Sequence, residues 1–220
     1  MSLSIARMGD AALVVTFAAD SLDAANGRAI ALAAALRADA ITGVLDVVPA
    51  MTSVAVHFEP GTDAFERAIA HVRTRAVEMS TSASVEAAVD RRLHEIPVFY
   101  GGADGPDLAD VASFGGCSEE DVIARHASGA YRVYMLGFIP GFAYLGPVDP
   151  SIAAPRRPAP RQRVPAGSVG IAGTQTGVYP QQSPGGWQII GRTDLRMFDA
   201  ATGSRLQPGD HVRFVARRAP

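Results

Sequence analysis

The chain has 220 residues, 48% of them hydrophobic and 19% charged, and its formal net charge of −2 argues against a nucleic-acid or anionic-membrane surface as the main partner. All 20 of its basic residues are arginine, so the chain contains no lysine. A Walker A nucleotide loop, Schiff-base or pyridoxal-phosphate catalysis, a carrier lysine for biotin or lipoate and a Ser–Lys hydrolase are therefore excluded on this chain.

The first 90 residues show apolar alternation in some segments and apolar spacings of three and four in others. The pattern predicts strand, strand, helix, strand, strand and helix, in that order, over residues 4–7, 13–17, 21–37, 44–48, 53–58 and 63–79. Asp63 and Glu66 form a capping-box-like start for the second helix. This order predicts a small ferredoxin-like α/β sandwich over residues 1–88, with both helices on one face of a mostly antiparallel sheet.

The pattern changes after a small polar linker at residues 80–84. Two short helices are predicted, one after Gly105-Pro106-Asp107 and one capped by Ser118. Short strands separated by turn residues are predicted over residues 94–100, 131–136, 168–172, 177–179, 187–190 and 211–215. Such a series predicts a closed or nearly closed β-barrel over residues 89–220, so the expected fold class is α+β with two domains.

The N-terminal sequence is similar in pattern to a short export signal, because Arg7 precedes the apolar run of residues 11–19. Asp10 interrupts that signal, and the apolar residues that follow alternate as in a strand. No run reaches the roughly 18 apolar residues of a membrane span. The single cysteine excludes an internal disulfide framework and suits a reducing compartment. We therefore expect a soluble, cytoplasmic protein.

The sequence lacks the short catalytic and cofactor-binding motifs that can be recognised without a structure. Neither the dinucleotide fingerprint G-x-G-x-x-G nor the nucleophile elbow G-x-S-x-G occurs. The five histidines show no metal-ligand spacing, so no metal site is predicted and each is interpreted as a surface or structural residue. Cys117 precedes the helix cap at Ser118, but no base accompanies it, and it is interpreted as a small apolar filler. No catalytic residue is assigned.

Residues 135–194 combine most of the prolines with the only tryptophan, Trp187, and a cluster of arginines. Proline fixes φ and glycine permits positive φ, so this segment prescribes an irregular backbone path. Long ordered loops of this kind are usually functional. Its polar side chains suit an anionic or amide-bearing ligand or partner, and they belong to Arg156, Arg157, Arg161, Arg163, Gln175, Thr176, Tyr179, Gln182, Ser183 and Arg192.

The sharpest local signal is Ser183-Pro184-Gly185-Gly186-Trp187, which predicts a tight turn. Two interpretations stay open: Trp187 plugs the end of the barrel, or its ring and the Ser183 hydroxyl line a pocket that Arg192 reaches. The spacing of five residues places Trp187 and Arg192 on opposite faces of one strand unless a bulge intervenes. We expect Trp187 to pack inward and Arg192 to face substrate or partner. Backbone N–H groups of Gly185 and Gly186 are candidates to stabilise an oxyanion.

Four motifs resemble the KipI/PxpB family, which includes the B subunit of bacterial ATP-dependent 5-oxoprolinase and the domain called allophanate hydrolase subunit 1. They are GFIPGFAYLG at 137–146, PRR at 155–157, VPAGSVGIAGTQTGVYP at 164–180 and SPGGWQIIGRT at 183–193. The resemblance extends to GDAALVVTF at 9–17, to IPVFYGG and GPDL within 96–108, and to LQPGDHVRF at 206–214. It therefore covers nearly the whole chain.

This resemblance implies an N-terminal α/β domain followed by a cyclophilin-like β-barrel. It also implies a non-autonomous subunit that acts with a KipA/PxpC-type subunit and a PxpA-type subunit to open 5-oxoproline to L-glutamate with ATP. No cofactor is expected on this chain, and ATP would be used by the assembled complex, on a partner or at a shared interface. The residues expected to contact the cyclic amide substrate or a partner are Arg156, Arg157, Gln175, Tyr179, Ser183, Gly185, Gly186, Trp187 and Arg192.

Two further functions are compatible with the resemblance. One is the carboxyltransferase part of a urea-amidolyase or allophanate hydrolase-like system, with carboxybiotin delivered by another chain. The other is a KipI-like histidine kinase inhibitor whose barrel groove grips a partner helix or a proline-bearing segment. Glutamate release with ATP and without biotin, a biotin requirement, and tight kinase binding would distinguish the three functions.

Overall fold

The computed structural model describes residues 2–60, 64–81 and 92–217. The chain divides into two compact units, Met1–Asp90 and Arg91–Pro220. The predicted domain boundary between residues 88 and 89, most of the predicted linker and the predicted helix cap at Asp63 lie outside the described residues. Within the described residues, no helix combines the length and the apolar character that crossing a membrane requires.

The first unit is an antiparallel sheet that packs against two helices. Its elements are β1 (Ser2–Met8), β2 (Ala12–Ala18), α1 (Leu22–Ala38), β3 (Val44–Pro49), β4 (Ser53–Phe58) and α2 (Ala64–Thr81). The strands lie in the order β1-β2-β4-β3, and every neighbouring pair is antiparallel.

The core of this unit follows from the apolar alternation in its strands and the apolar spacing of three and four residues in its helices. Leu13, Val15 and Phe17 alternate inward along β2, and they share one buried cluster with Leu32 of α1 and Val72 of α2. The two helices also contact each other, which places them on the same face of the sheet. The predicted α/β sandwich is therefore confirmed, with its elements in the predicted order.

The second unit is built around a closed seven-stranded barrel. Its elements are β5 (Leu93–Tyr100), α3 (Leu108–Gly115), α4 (Glu119–Ser128), β6 (Ala130–Leu136), β7 (Ala143–Gly146), a 3-10 helix (Pro150–Ile152), β8 (Arg161–Val164), β9 (Ser168–Ala172), β10 (Gln175–Val178), β11 (Ser183–Gly185), β12 (Gln188–Arg192), β13 (Phe198–Asp199), β14 (Gly203–Ser204) and β15 (His211–Arg217). The barrel order is β10-β7-β6-β15-β5-β12-β9, in which only the β5–β15 pair is parallel.

One large buried cluster joins the barrel strands to the two helices of this unit. Ile96 of β5, Ile171 of β9 and Phe214 of β15 belong to it together with Val111 of α3 and Val122 of α4. The predicted α+β fold class with a cyclophilin-like barrel is confirmed. Outside the barrel, β8 pairs with β11 and β13 pairs with β14, each as a two-stranded antiparallel ribbon. The β8–β11 ribbon carries Arg161, Arg163 and Gly185, which lie at or near the sites described next.

Candidate functional site

A cavity of about 240 Å³, here called the aromatic cavity, lies in the second unit. Half of its lining residues are aromatic, and arginine supplies its only charged group among the described residues. The lining residues are Phe138, Phe142, Tyr144, Arg156, Pro160, Tyr179, Pro184, Gly185, Gly186 and Trp187. A largely apolar cavity with one convergent charge is the usual form of a small-molecule site.

Phe142 is the centre of the ring packing around this cavity. Its ring meets Trp187 edge-on at a centroid distance of 5.3 Å, and it meets Tyr179 at 5.2 Å and Tyr144 at 5.0 Å in the same T-shaped manner. Such edge-to-face pairs place a positive ring edge against a negative face and favour a fixed geometry. The rings therefore form a preorganised wall rather than a loose apolar patch.

Phe138 extends this wall toward solvent. Its side chain is 59% exposed, and its φ of 73° lies in a region that non-glycine residues rarely adopt. The turn that carries it is closed by hydrogen bonds from Gly137 N to Phe142 O and from Phe142 N to Ile139 O. Strained backbone of this kind persists where the surroundings hold it, and it is common at ligand-binding sites.

Tyr179 and Gly185 fit each other closely at the back of the cavity. A Cβ atom on Gly185 would lie 2.3 Å from the Tyr179 hydroxyl oxygen, so only glycine fits at that position. Burial raises the pKa of Tyr179 above its ordinary value, although a hydrogen bond from the backbone N–H of Trp187 opposes that rise. The Tyr179 hydroxyl is therefore neutral at physiological pH and acts as a hydrogen-bonding group rather than as an anion.

Arg156 brings positive charge to the aromatic cavity. Two contacts hold its segment against the opposite wall: Arg157 N donates to Gly186 O at 2.7 Å, and Gln188 Nε2 donates to Pro155 O at 3.0 Å. The Arg156 side chain is exposed and forms no hydrogen bond or ion pair with any residue that the structure describes. Its guanidinium group is therefore available to a carboxylate or another anion.

A buried carboxylate, Asp107, fixes the wall that carries Arg156. Asp107 is 1% exposed and accepts hydrogen bonds from Arg157 Nη1 at 2.7 Å and from Arg161 Nη1 and Nη2 at 2.8 and 2.7 Å. It also accepts one from Ile189 N at 2.6 Å. One side chain thus ties both ends of residues 157–161 to β12, and Pro160 and Arg156 are held in place as a result.

Sequence reasoning missed the role of Asp107. It predicted only a helix start at Gly105-Pro106-Asp107, and α3 does begin directly afterwards, but the Asp107 side chain does not cap it. Its carboxylate is occupied by the two arginines instead. The available signal was an acidic residue in the GPDL motif of a chain rich in arginine, and its partners are 50 and 54 residues away in the sequence.

The structure brings together five of the nine predicted site residues: Arg156, Tyr179, Gly185, Gly186 and Trp187. Each of the other four lies elsewhere. Arg157 belongs to the Asp107 ion pair, and Gln175 begins β10 outside the cavity lining. Ser183 is buried, pairs with Val164 across the β8–β11 ribbon, and has a hydroxyl oxygen without a hydrogen-bond partner among the described residues. Arg192 lines a different cavity.

Trp187 is a buried residue, and the pocket interpretation holds for its ring only, because Ser183 and Arg192 lie outside the aromatic cavity. The residue is 5% exposed and packs in a small cluster with Phe142, Tyr179 and Ile189, which is separate from the large barrel cluster. It also lines the aromatic cavity. The simple alternation between Trp187 and Arg192 does not hold, because Trp187 precedes β12 and a register shift separates Ile189 from Gly191.

His126 is buried in a hydrogen-bonded network inside the second unit. Thr176 Oγ1 donates to Gly170 O at 3.0 Å, so it accepts from His126 Nε2 at 2.8 Å, and His126 Nδ1 then accepts from the Tyr100 hydroxyl at 2.7 Å. The His126 ring stacks on Phe214 at 4.5 Å. Burial lowers the pKa of His126 from 6.5 to about 3. His126 is therefore a neutral structural residue, as was expected for the histidines.

This burial predicts an acid-sensitive stability. Above pH 6.5 His126 is neutral in both folded and unfolded chains, whereas below it only the unfolded chain takes up the proton. The free energy of unfolding should therefore fall as the pH is lowered, with this group contributing on the order of 1–2 kcal/mol between pH 6.5 and pH 5. Urea unfolding at several pH values measures the slope. The variant His126→Gln should lose this part of the dependence of the free energy of unfolding on pH. If the variant and the unaltered chain show the same dependence, His126 takes up its proton in the folded chain as readily as in the unfolded one.

Neither a metal site nor a nucleophile–base pair stands out beside the cavity. The structure, over the residues it describes, shows no group of three or more His, Cys, Asp and Glu side chains that could hold a metal ion. The described lining of the aromatic cavity contains no His, Cys, Asp or Glu. The arrangement can therefore bind and orient an anionic ring compound, but it offers no visible base for chemistry.

Known proteins resemble this chain over most of its length. A family model described as the carboxyltransferase domain, subdomain C and D, matches residues 3–206. The B subunit of 5-oxoprolinase from Bacillus subtilis (strain 168) is 43% identical, over 96% of this chain and 91% of that protein. The crystal structure of TTHA0988 superposes with a TM-score of 0.81 at 40% identity and matches 95% of this chain, which spans only 40% of that longer chain.

A more distant structure shares the fold. The Kluyveromyces lactis urea carboxylase superposes with a TM-score of 0.79 over 98% of this chain and 22% of its own, at 18% identity. With the family model and the near-full-length relative, the chain belongs to the KipI/PxpB family, which carries the C and D subdomains of the carboxyltransferase domain and includes proteins named as the B subunit of 5-oxoprolinase.

Proposed function

We propose that this chain is the B subunit of a 5-oxoprolinase, a non-autonomous part of a complex that opens 5-oxoproline to L-glutamate with ATP. The observation that carries the proposal is the 43% identity with the B subunit of a 5-oxoprolinase over 96% of the chain. The aromatic cavity supports it, because 5-oxoproline is a small ring with one carboxylate and one lactam group. Arg156 suits the carboxylate, and the aromatic wall suits the ring.

The partners in this proposal are a KipA/PxpC-type subunit and a PxpA-type subunit. Opening a lactam requires a nucleophile, a base and, for the ATP-dependent reaction, a nucleotide site. The aromatic cavity presents none of these among its described residues, and the lysine-free sequence cannot form a P-loop. ATP use and bond cleavage therefore belong to the partners or to an interface with them, whereas this chain binds and orients a reactant.

The test is to co-express the chain with its two partner types and measure glutamate formation from 5-oxoproline with and without ATP. We expect glutamate only from the assembled complex with ATP, no activity from this chain alone, and co-elution with the KipA/PxpC-type subunit on size exclusion. A biotin requirement would favour the carboxyltransferase function instead, and tight binding to a histidine kinase without any turnover would favour the inhibitor. Turnover by the pure chain would contradict its non-autonomous role.

Arg156→Ala tests the cavity within that assay. Loss of a charge-assisted contact to the substrate carboxylate corresponds to about 1.5–3 kcal/mol, so the activity of the complex at low substrate should fall tenfold or more. The melting temperature should hardly change, because Arg156 is exposed and makes no described ion pair. Arg73→Ala, an exposed arginine on α2, is the matched control. Full activity of Arg156→Ala in the complex would show that the aromatic cavity takes no part in the reaction.

A further inference from the structure

A second cavity, here called the arginine cavity, lies in the same unit and is chemically unlike the first. Its volume is about 340 Å³, and three arginines line it: Arg161, Arg163 and Arg192. Asp104 is the only acidic residue in its described lining. In a chain whose net charge is −2, three guanidinium groups around one concave space are an unusual concentration of positive charge.

The local structure explains why these arginines converge. Arg161 and Arg163 are two residues apart on β8, so their side chains leave the same face of that strand. Arg192 ends β12 and pairs with Ser168 at the start of β9, which also lines the cavity. Two strand termini thus bring the three groups to one place.

The loop that closes the cavity is tightly held. Gly101 N donates to Ile190 O at 3.1 Å, and Gly105 N donates to Gly101 O at 2.8 Å. A Cβ atom on Gly105 would lie 2.1 Å from Ile190 O, so the loop approaches β12 as closely as only glycine allows. Asp104 and Pro106, which line the cavity, are therefore carried by a rigid loop.

The three arginines differ in how far their charge is already compensated. Arg161 is held by both oxygens of Asp107. Arg192 lies 3.7 Å from Asp104 and 4.0 Å from Asp194, both longer than a hydrogen bond. Arg163 is exposed and forms neither an ion pair nor a hydrogen bond with any described residue. Two guanidinium groups with unused donors therefore face one cavity.

We propose that the arginine cavity binds an oxyanion group of a small molecule, with Arg163 and Arg192 as its direct ligands. Carboxylate and phosphate share the relevant chemistry, because either can accept two parallel N–H bonds from one guanidinium group. Arg161 shapes the site but is not a direct ligand, since two of its N–H groups already donate to Asp107, which it shares with Arg157. The volume is within the usual range of small-ligand cavities, and the site is separate from the aromatic cavity in its lining residues.

The test measures binding to the full chain on its own and does not depend on turnover or on the proposed function. Inorganic phosphate and L-glutamate are titrated separately at constant ionic strength, with chloride as the reference anion, by calorimetry and by following the side-chain Nε–H resonances of arginine. We expect saturable binding of at least one of the two anions, which also separates a phosphate ligand from a carboxylate ligand. Arg163→Ala and Arg192→Ala should each raise the Kd at least tenfold.

Two matched variants locate the binding. Arg73→Ala removes one exposed arginine charge elsewhere on the chain and should leave the Kd unchanged. Arg156→Ala removes the arginine of the aromatic cavity and should leave the Kd of inorganic phosphate unchanged; L-glutamate is not used with this variant, because its carboxylate is the group that Arg156 is proposed to bind. The proposal is overturned if neither anion binds more tightly than chloride, if binding survives in the Arg163→Ala, Arg192→Ala double variant, or if Arg156→Ala weakens phosphate binding as much as the two cavity substitutions do.

Discussion

Asp107→Ala should lower the free energy of unfolding of this chain by about 3 kcal/mol, the lower end of the range for breaking a buried ion pair. The lower end applies because Asp107 is almost fully buried, whereas the side chains of Arg157 and Arg161 keep 32% and 25% of their exposure and can be partly rehydrated. The backbone N–H of Ile189 also loses its acceptor. Urea unfolding of the isolated chain measures the difference.

Asp104→Ala is the matched control for that substitution. Asp104 is 40% exposed and lies 3.7 Å from Arg192, so its removal should change the free energy of unfolding by less than about 1 kcal/mol. Asp107→Asn keeps the shape of the side chain but removes its charge, and it should be intermediate between the two. Equal effects of Asp104→Ala and Asp107→Ala would mean that the buried ion pair does not hold the cavity wall.

Gly185→Ala should destabilise the chain by about 1–3 kcal/mol, although glycine-to-alanine changes at positions without positive φ are often harmless. The added methyl group would lie 2.3 Å from the hydroxyl oxygen of Tyr179 and 2.9 Å from two of its ring carbons. Tyr179 is 1% exposed and its ring packs against Phe142, so it cannot move aside freely. Thermal and urea unfolding of the isolated chain measure the change.

Gly186→Ala is the neighbouring control, because its added methyl group would meet nothing closer than 3.7 Å. That variant should stay within about 0.5 kcal/mol of the unaltered chain. Tyr179→Phe removes the nearest clashing atom, so combining it with Gly185→Ala should cost less than the two single changes added together. Strict additivity, or equal destabilisation by the two glycine variants, would show that Gly185 and Tyr179 are not in the contact described.

The elements predicted from the sequence were those with a clear local signal. The strand Ser53–Phe58 and the strand Ser168–Ala172 have the predicted bounds, and Ser118 with Asp121 forms the predicted helix cap. The short strands were missed, namely β7, β8, β11, β13 and β14. They contain two to four residues, several of them proline or glycine, so no alternation can be recognised, and each exists because a partner strand elsewhere in the fold pairs with it.

The features of the candidate site also separate into those that the sequence predicted and those that it did not. The glycine–proline turn beside Trp187 marked this segment as the site candidate, because glycine and proline restrict the backbone by their own chemistry, but a barrel plug and a pocket wall both stayed open for Trp187. The separate roles of the arginines were not visible. In the sequence they are equivalent cations within one segment, and only their contacts with Asp107 and the cavity that each one lines distinguish them.

The sequence by itself excluded several classes of chemistry and determined the two-layer and barrel architecture and the family. The absence of lysine, the alternation of apolar residues and the extended motifs are all local properties that need no folding to be recognised. Tertiary structure alone decided that Arg157 pairs with Asp107, that Arg156 lines the aromatic cavity and that Arg163 and Arg192 line the arginine cavity. The physical reason is that the role of a charge depends on which opposite charge the chain brings within about 4 Å of it, and Asp107 is brought to its partners across 50 and 54 residues of sequence.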